Sequence, residues 1–124
     1  MRGARHPARG ALLLALALAA PLAAAAEPEA EIAALIEALG SSGCEFQRNG
    51  AWHGAARARA HLQRKYDWLR ARGLAETPEL FIERAASRSS ASGQAYRVRC
   101  PGQPETSSAE WFDARLRRLR EAES

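Results

Sequence analysis

No apolar stretch in this 124-residue sequence is long enough to span a bilayer. The longest, Ala11 to Ala20, covers about ten residues, where a spanning helix needs about 20. Arg2, Arg5 and Arg9 precede it with no acid among them, and Pro21 and four small residues, Ala23 to Ala26, follow. A basic start, a short apolar run and Ala24-x-Ala26 before Glu27 are the parts of a cleavable signal peptide. Residues 1–26 are therefore expected to be removed on export, leaving 27–124 as a single small domain with no stable membrane anchor. No cysteine stands at the cleavage point, which argues against a lipid anchor. No paired arginines precede the run, which favours the general secretory route over the twin-arginine one. The expected location is periplasmic or secreted.

A strong basic excess is also missing. The whole chain carries a formal charge of +4. The three N-terminal arginines would leave with the signal and no acid would, so the exported part holds fifteen basic residues against fourteen acidic, about +1. The remaining arginines alternate with acids as on a solvated surface. A nucleic-acid partner, which calls for a concentrated basic face, is not expected.

Only two cysteines are present, Cys44 and Cys100. They do not form the Cys-x-x-Cys spacing of redox motifs. In an exported small domain such a pair reads as a structural disulfide. There is no Gly-x-Ser-x-Gly elbow of the kind many serine hydrolases carry between strand and helix.

What is present has clear periodicity. Ile32, Leu35, Ile36 and Leu39 make one helical face, and Gly40 stops it, predicting a helix from Pro28 to Leu39. Cys44 to Arg48 alternates as a short strand, and Asn49-Gly50 signals a turn. His53 to Arg72 reads as the longest helix, with Leu62, Tyr66 and Leu69 in one stripe, ending at Gly73. Thr77-Pro78-Glu79 opens a further helix through an N-cap, a proline at its first position and an acid in the first turn. After the serine-rich connector Ser87 to Gly93, Gln94 to Cys100 alternates again, with Tyr96, Val98 and Cys100 on one face. Ser107-x-x-Glu110 is a capping-box signature before a last helix with Ala109, Phe112, Leu116 and Leu119 on its stripe.

The expected class is α+β: four helices packed on a two-stranded antiparallel ribbon, in the order α-β-α-α-β-α. If Cys44 faces Cys100, an antiparallel register sets Phe46 opposite Val98 and Arg48 opposite Tyr96, all on one face. A parallel register would leave Phe46 facing the Pro101–Pro104 break.

Four segments, in order, resemble the YfeK-like family of bacterial secreted proteins. They are Phe46-x-Arg48-Asn49-Gly50, His61-Leu62-x-x-Lys65, Thr77-x-Glu79-x-Phe81-Ile82 and Ala86-Ser87-x-Ser89-Ser90-x-Ser92-Gly93-x-x-Tyr96-x-Val98. The resemblance covers nearly all of residues 27–124 and implies an exported protein of unknown function. It lends no reaction, ligand or catalytic residue. The cysteine pair departs from the family pattern.

The candidate binding residues are Arg48, Asn49, His61, Lys65, Ser89, Ser92 and Tyr96. Arg48 is expected to stack on Tyr96 beside the Asn49-Gly50 turn. His61 and Lys65, at i and i+4, share one helix face. The serine loop follows a helix and precedes a strand, so the negative helix end is the nearer one. That is the reverse of a phosphate loop, and its hydroxyls are expected to satisfy the helix's last carbonyls. His53 and His61, eight residues apart, would lie about 12 Å apart along one helix and roughly 80° around it. They could share a metal ion only if the helix starts after His53, and no metal or other cofactor is expected. The favoured function is a non-enzymatic binding or accessory module acting on an envelope protein or small ligand, with no catalytic residue assigned. The alternative is a small serine hydrolase pairing a loop serine with His61 or Lys65, which requires a serine oxygen within about 3 Å of His61, or linked to it through one water.

Overall fold

The structure, a computed structural model, describes residues 27–123. The expected signal segment, residues 1–26, lies outside them. Among the described residues no helix is long and apolar enough to cross a membrane. Four helices and four strands follow in the order α1 (Pro28–Gly40), β1 (Glu45–Arg48), β2 (Ala51–His53), α2 (Ala55–Arg70), α3 (Pro78–Ala85), β3 (Arg97–Arg99), β4 (Thr106–Ser107) and α4 (Ser108–Glu123).

The class is α+β, but the expected two-stranded ribbon is a four-stranded antiparallel sheet ordered β2-β1-β3-β4. Its centre is the inferred pairing: Phe46 stands opposite Val98, flanked by Glu45 with Arg99 and Gln47 with Arg97. Cys44 and Cys100 are disulfide-bonded, with Cα atoms 4.2 Å apart. The outer face is wet, as the alternation predicted. There Arg99 pairs with Glu45 at 2.8 Å and lies 4.0 Å over the Trp52 ring.

The two missed strands have local causes. Asn49 and Gly50 have φ of 50° and 81°. Positive φ at both central residues makes the tightest hairpin loop, whose twist matches the flanking strands. The chain therefore doubles back as β2, with Trp52 opposite Gln47 and His53 opposite Phe46. His53 belongs to a strand, and α2 begins two residues later than expected. Thr106-Ser107 pairs with Val98 and Arg97 as β4, and Ser107 also caps α4, its Oγ accepting from the Glu110 N–H at 3.1 Å. Three-residue and two-residue strands are too short for alternation to mark them.

The helices follow their stripes. Ile32, Leu35, Ile36 and Leu39 of α1 are buried, as are Leu62, Tyr66 and Leu69 of α2 and Phe112 and Leu116 of α4. Ala109 and Leu119 pack against the core only in part. Thr77 caps α3 as expected, accepting from the Leu80 N–H at 3.1 Å. Edge-on ring contacts run from Tyr66 to Phe81 and from Phe81 to Phe112, the geometry that ring quadrupoles favour. At the far side of the core, Arg120 donates to the carboxylates of both Glu31 and Glu79.

Candidate functional site

Strand alternation sends Arg48 to the same face as Phe46, toward α2. The helical period sends His61 and Lys65 out of α2 toward that strand. Tyr96, just before β3, is buried to 1 % exposure, with its ring 4.9 Å from that of Phe46. These four polar side chains close on one another. Arg48 Nη1 lies 2.9 Å from His61 Nδ1, and His61 Nε2 lies 3.2 Å from Tyr96 Oη. Lys65 Nζ donates to Tyr96 Oη at 3.1 Å and to the Arg88 carbonyl at 3.1 Å.

The chemistry of the donors assigns the protons. Arginine has no acceptor, so Nδ1 of His61 must accept and the ring hydrogen sits on Nε2. Tyr96 Oη then accepts from both His61 and Lys65. Burial, followed by the charges of Arg48 and Lys65, holds His61 down from 6.5 to about 4, so the ring is neutral at pH 7. Burial and then Arg48 also lower Lys65. Burial raises Tyr96, against a smaller opposing effect of Arg48.

The expected Arg48–Tyr96 stacking is not what forms. His61 stands between the two, and Lys65 takes the position near the tyrosine ring, 5.1 Å from its centroid. A buried ring offers its face to neighbours already packed on it, and Arg48 reaches the imidazole instead.

The remaining candidates form a second group beside it, between the hairpin and the serine loop. Ser92 Oγ donates to Asn49 Oδ1 at 2.7 Å and accepts from the Gln94 N–H. Ser89 is buried, and its Oγ accepts from the N–H groups of Ala91 and Ser92. Ser87 Oγ donates to the Ile82 carbonyl at 2.6 Å, the closure of the helix end anticipated for this loop. The seven candidate residues thus fall into two hydrogen-bonded groups, Arg48 with His61, Tyr96 and Lys65, and Asn49 with Ser92 and Ser89, which adjoin along the chain at Arg48-Asn49. Among the described residues no serine hydroxyl is a hydrogen-bond partner of His61. Its ring bonds run to Arg48 and Tyr96, and those of Ser89 and Ser92 stay within the loop and Asn49.

Sequence reasoning missed a part of this region. A cavity of about 60 Å³ between the β1–β2 hairpin and α2 is lined by Phe46, Arg48, His53, Arg57, Ala58, His61 and Arg64. Arg57, His61 and Arg64 stand at i, i+4 and i+7, so the helical period could have grouped them; His53 was hidden by its assignment to the helix. With α2 starting after His53, both histidines reach one cavity. The described residues nevertheless hold no group of three or more His, Cys, Asp or Glu side chains arranged for a metal ion.

The cluster has no acid. The carboxylates of the described ion pairs serve other arginines: Glu37 with Arg59, Glu29 with Arg70, Glu45 with Arg99, Glu105 with Arg97, and Glu31 and Glu79 with Arg120. None reaches Arg48, Arg57, Arg64 or Lys65. The arrangement can therefore donate hydrogen bonds and present positive charge, while its imidazole is a weak base.

No curated protein and no solved structure matches the chain. A family model described as a family of unknown function, DUF5329, matches residues 26–120. A match over that much of the 124 residues places the chain in it: this protein belongs to the DUF5329 family.

Proposed function

We propose that this protein is an exported, non-enzymatic binding module of the bacterial envelope, and that the cluster between the β1–β2 hairpin, α2 and the serine loop is its binding site. The observation that carries the reading is the convergence of Arg48, His61, Lys65 and Tyr96 from three separate segments into one polar cluster, with Asn49, Ser89 and Ser92 bonded together beside it. Export is supported by the basic, apolar and small-residue order of residues 1–26, by the resemblance to YfeK-like secreted proteins, and by a disulfide, which suits an oxidising compartment. A binding role without catalysis is supported by the proton assignment: His61 holds its Nδ1 lone pair against Arg48 and gives its hydrogen to Tyr96, which suits holding a ligand better than moving a proton.

The test is affinity capture from envelope extract with purified protein, wild type beside an Arg48→Ala/Lys65→Ala variant checked for an unchanged fold by circular dichroism. A component retained by the wild type and released by the variant supports the reading. Equal retention by both removes the site assignment. A fluorophosphonate probe gives the opposing view: no labelling is expected, and covalent labelling of Ser89 or Ser92 would turn the reading toward a hydrolase.

A further inference from the structure

We propose that the cavity between the β1–β2 hairpin and α2 binds one small tetrahedral oxyanion, a phosphate or sulfate group, held by Arg48, Arg57 and Arg64. This rests on the binding-module reading and names the ligand class for its site.

Three observations lead there. The first is charge. Three guanidinium groups and two imidazoles line one cavity of about 60 Å³, and no carboxylate lines it. Like charges gathered without a counter-charge repel one another, whereas Arg59, Arg70, Arg97, Arg99 and Arg120 each have an acidic partner. Burial first, and then neighbouring positive charge, lowers the proton affinities of His61 and Lys65. The second is the helix. The first turn of α2 contains no acidic residue and Gly54 supplies no side-chain cap. Its free N–H groups and the positive end of its dipole thus add to the field at Arg57 and Ala58 instead of being cancelled. The third is size and donor type. The cavity has room for one small group. Guanidinium forks present paired N–H donors that match tetrahedral and carboxylate oxygens in a way a lysine does not. His61 has its ring hydrogen committed to Tyr96, so the arginines are the recognising groups and His61 orients Arg48.

The probes are inorganic phosphate and sulfate, titrated into the full exported chain at constant ionic strength set with chloride and followed by calorimetry and by amide shifts of residues 48–64. One-to-one saturable binding is expected. Arg57→Ala/Arg64→Ala, at solvent-exposed helix positions where alanine suits the backbone, should weaken it about tenfold or more, the size of losing charge-assisted hydrogen bonds. Arg117→Ala on α4 removes one charge far from the cavity and should leave it within about twofold. Absence of saturable binding of either anion, or binding unchanged in the double variant, overturns the proposal. Flotation with phosphatidylglycerol vesicles, against phosphatidylcholine, separates the sources. Flotation that free phosphate reverses assigns a lipid headgroup, absence of flotation alongside phosphate binding assigns the free ion, and flotation indifferent to phosphate counts against the cavity. If phosphate fails to bind while envelope capture still depends on Arg48 and Lys65, the oxyanion assignment falls and the binding module stands. If phosphate binds but capture is unaffected by those residues, the anion site survives and the module's partner site lies elsewhere.

Discussion

The β1–β3 ladder is closed in two different ways at its two ends. At one end Cys44 and Cys100 join the strands covalently. At the other, Arg48, His61, Tyr96 and Lys65 join β1, α2 and the approach to β3 by hydrogen bonds alone, with no acid to balance the cations. Nothing about this fold prevents an acid-paired brace, because one exists on the opposite side. There Arg120 of α4 reaches Glu31 of α1, whose side chain is 9 % exposed, and Glu79 of α3. Those hydrogen bonds raise the proton affinity of Arg120 and lower that of Glu79. That brace sets its cation between acids. The Arg48 cluster leaves its charges unmatched, which suits a site completed by a ligand.

Breaking the covalent end should have the largest effect. The bridge closes a loop over a sequence separation of 56. In the chain-entropy model that is worth about 4 kcal/mol. The Cys44→Ser/Cys100→Ser variant is expected to melt roughly 15 °C lower in a thermal scan, and the native protein should show no alkylatable thiol by mass spectrometry before reduction.

Breaking the hydrogen-bonded end should cost less. Tyr96→Phe removes the oxygen that accepts from His61 and Lys65, stranding two donors in a partly buried place. A loss of about 1–2 kcal/mol in urea unfolding is expected. Retained stability would show that water replaces the hydroxyl freely.

Acidification probes the same end without mutation. The folded-state value of His61 lies below its unfolded 6.5, at about 4. The unfolded chain therefore takes up this proton first. The contribution of His61 to stability is complete above about pH 6.5 and is lost as pH falls toward 4. With allowance for solvent around a partly exposed ring, the loss is about 1 kcal/mol. His61→Gln should flatten the slope between pH 6.5 and 5, a window above the ordinary carboxylate range. An unchanged slope would assign it to other groups.

The smallest effects sharpen the contrast between the acid-paired brace and the cationic cavity. Arg120→Ala leaves Glu31 without its partner and should destabilise by about 1 kcal/mol or slightly less. Arg57→Ala should leave stability unchanged or raise it by a few tenths of a kcal/mol, since it relieves repulsion. A loss at Arg57 equal to that at Arg120 would mean that both clusters are structural braces.

Much of this fold was legible because its signals are local. The stripes of α1, α2 and α4, the Thr77 cap and the Phe46–Val98 register each follow from spacing within one or two segments. The strands β2 and β4 were not legible. Their residues number three and two, and their pairing depends on partners found through the hairpin and through β3. Four of the candidate residues, Arg48, His61, Lys65 and Tyr96, bond to one another, and Asn49, Ser89 and Ser92 form a second group, but the contact expected between Arg48 and Tyr96 does not form. Tyr96 is met by Lys65 and not stacked by Arg48, because His61 occupies the space between. Arg57 and Arg64 were overlooked since, on α2 alone, they look like ordinary solvated arginines.

By itself the amino-acid order determined the helices, the α+β class and the disulfide with its register, because side-chain periodicity, caps and the parity of a strand are properties of neighbouring residues. Tertiary structure decided the electrostatics. Whether an arginine is neutralised depends on which acid the fold carries to it, and residues distant in the chain supply that answer. Glu31 and Arg120 are 89 positions apart and meet, whereas no acid among the described residues pairs with Arg48, Arg57 or Arg64. Charge in water interacts weakly and over short range, so only proximity created by packing turns a nearly balanced sequence into one acid-paired brace and one open cationic cavity.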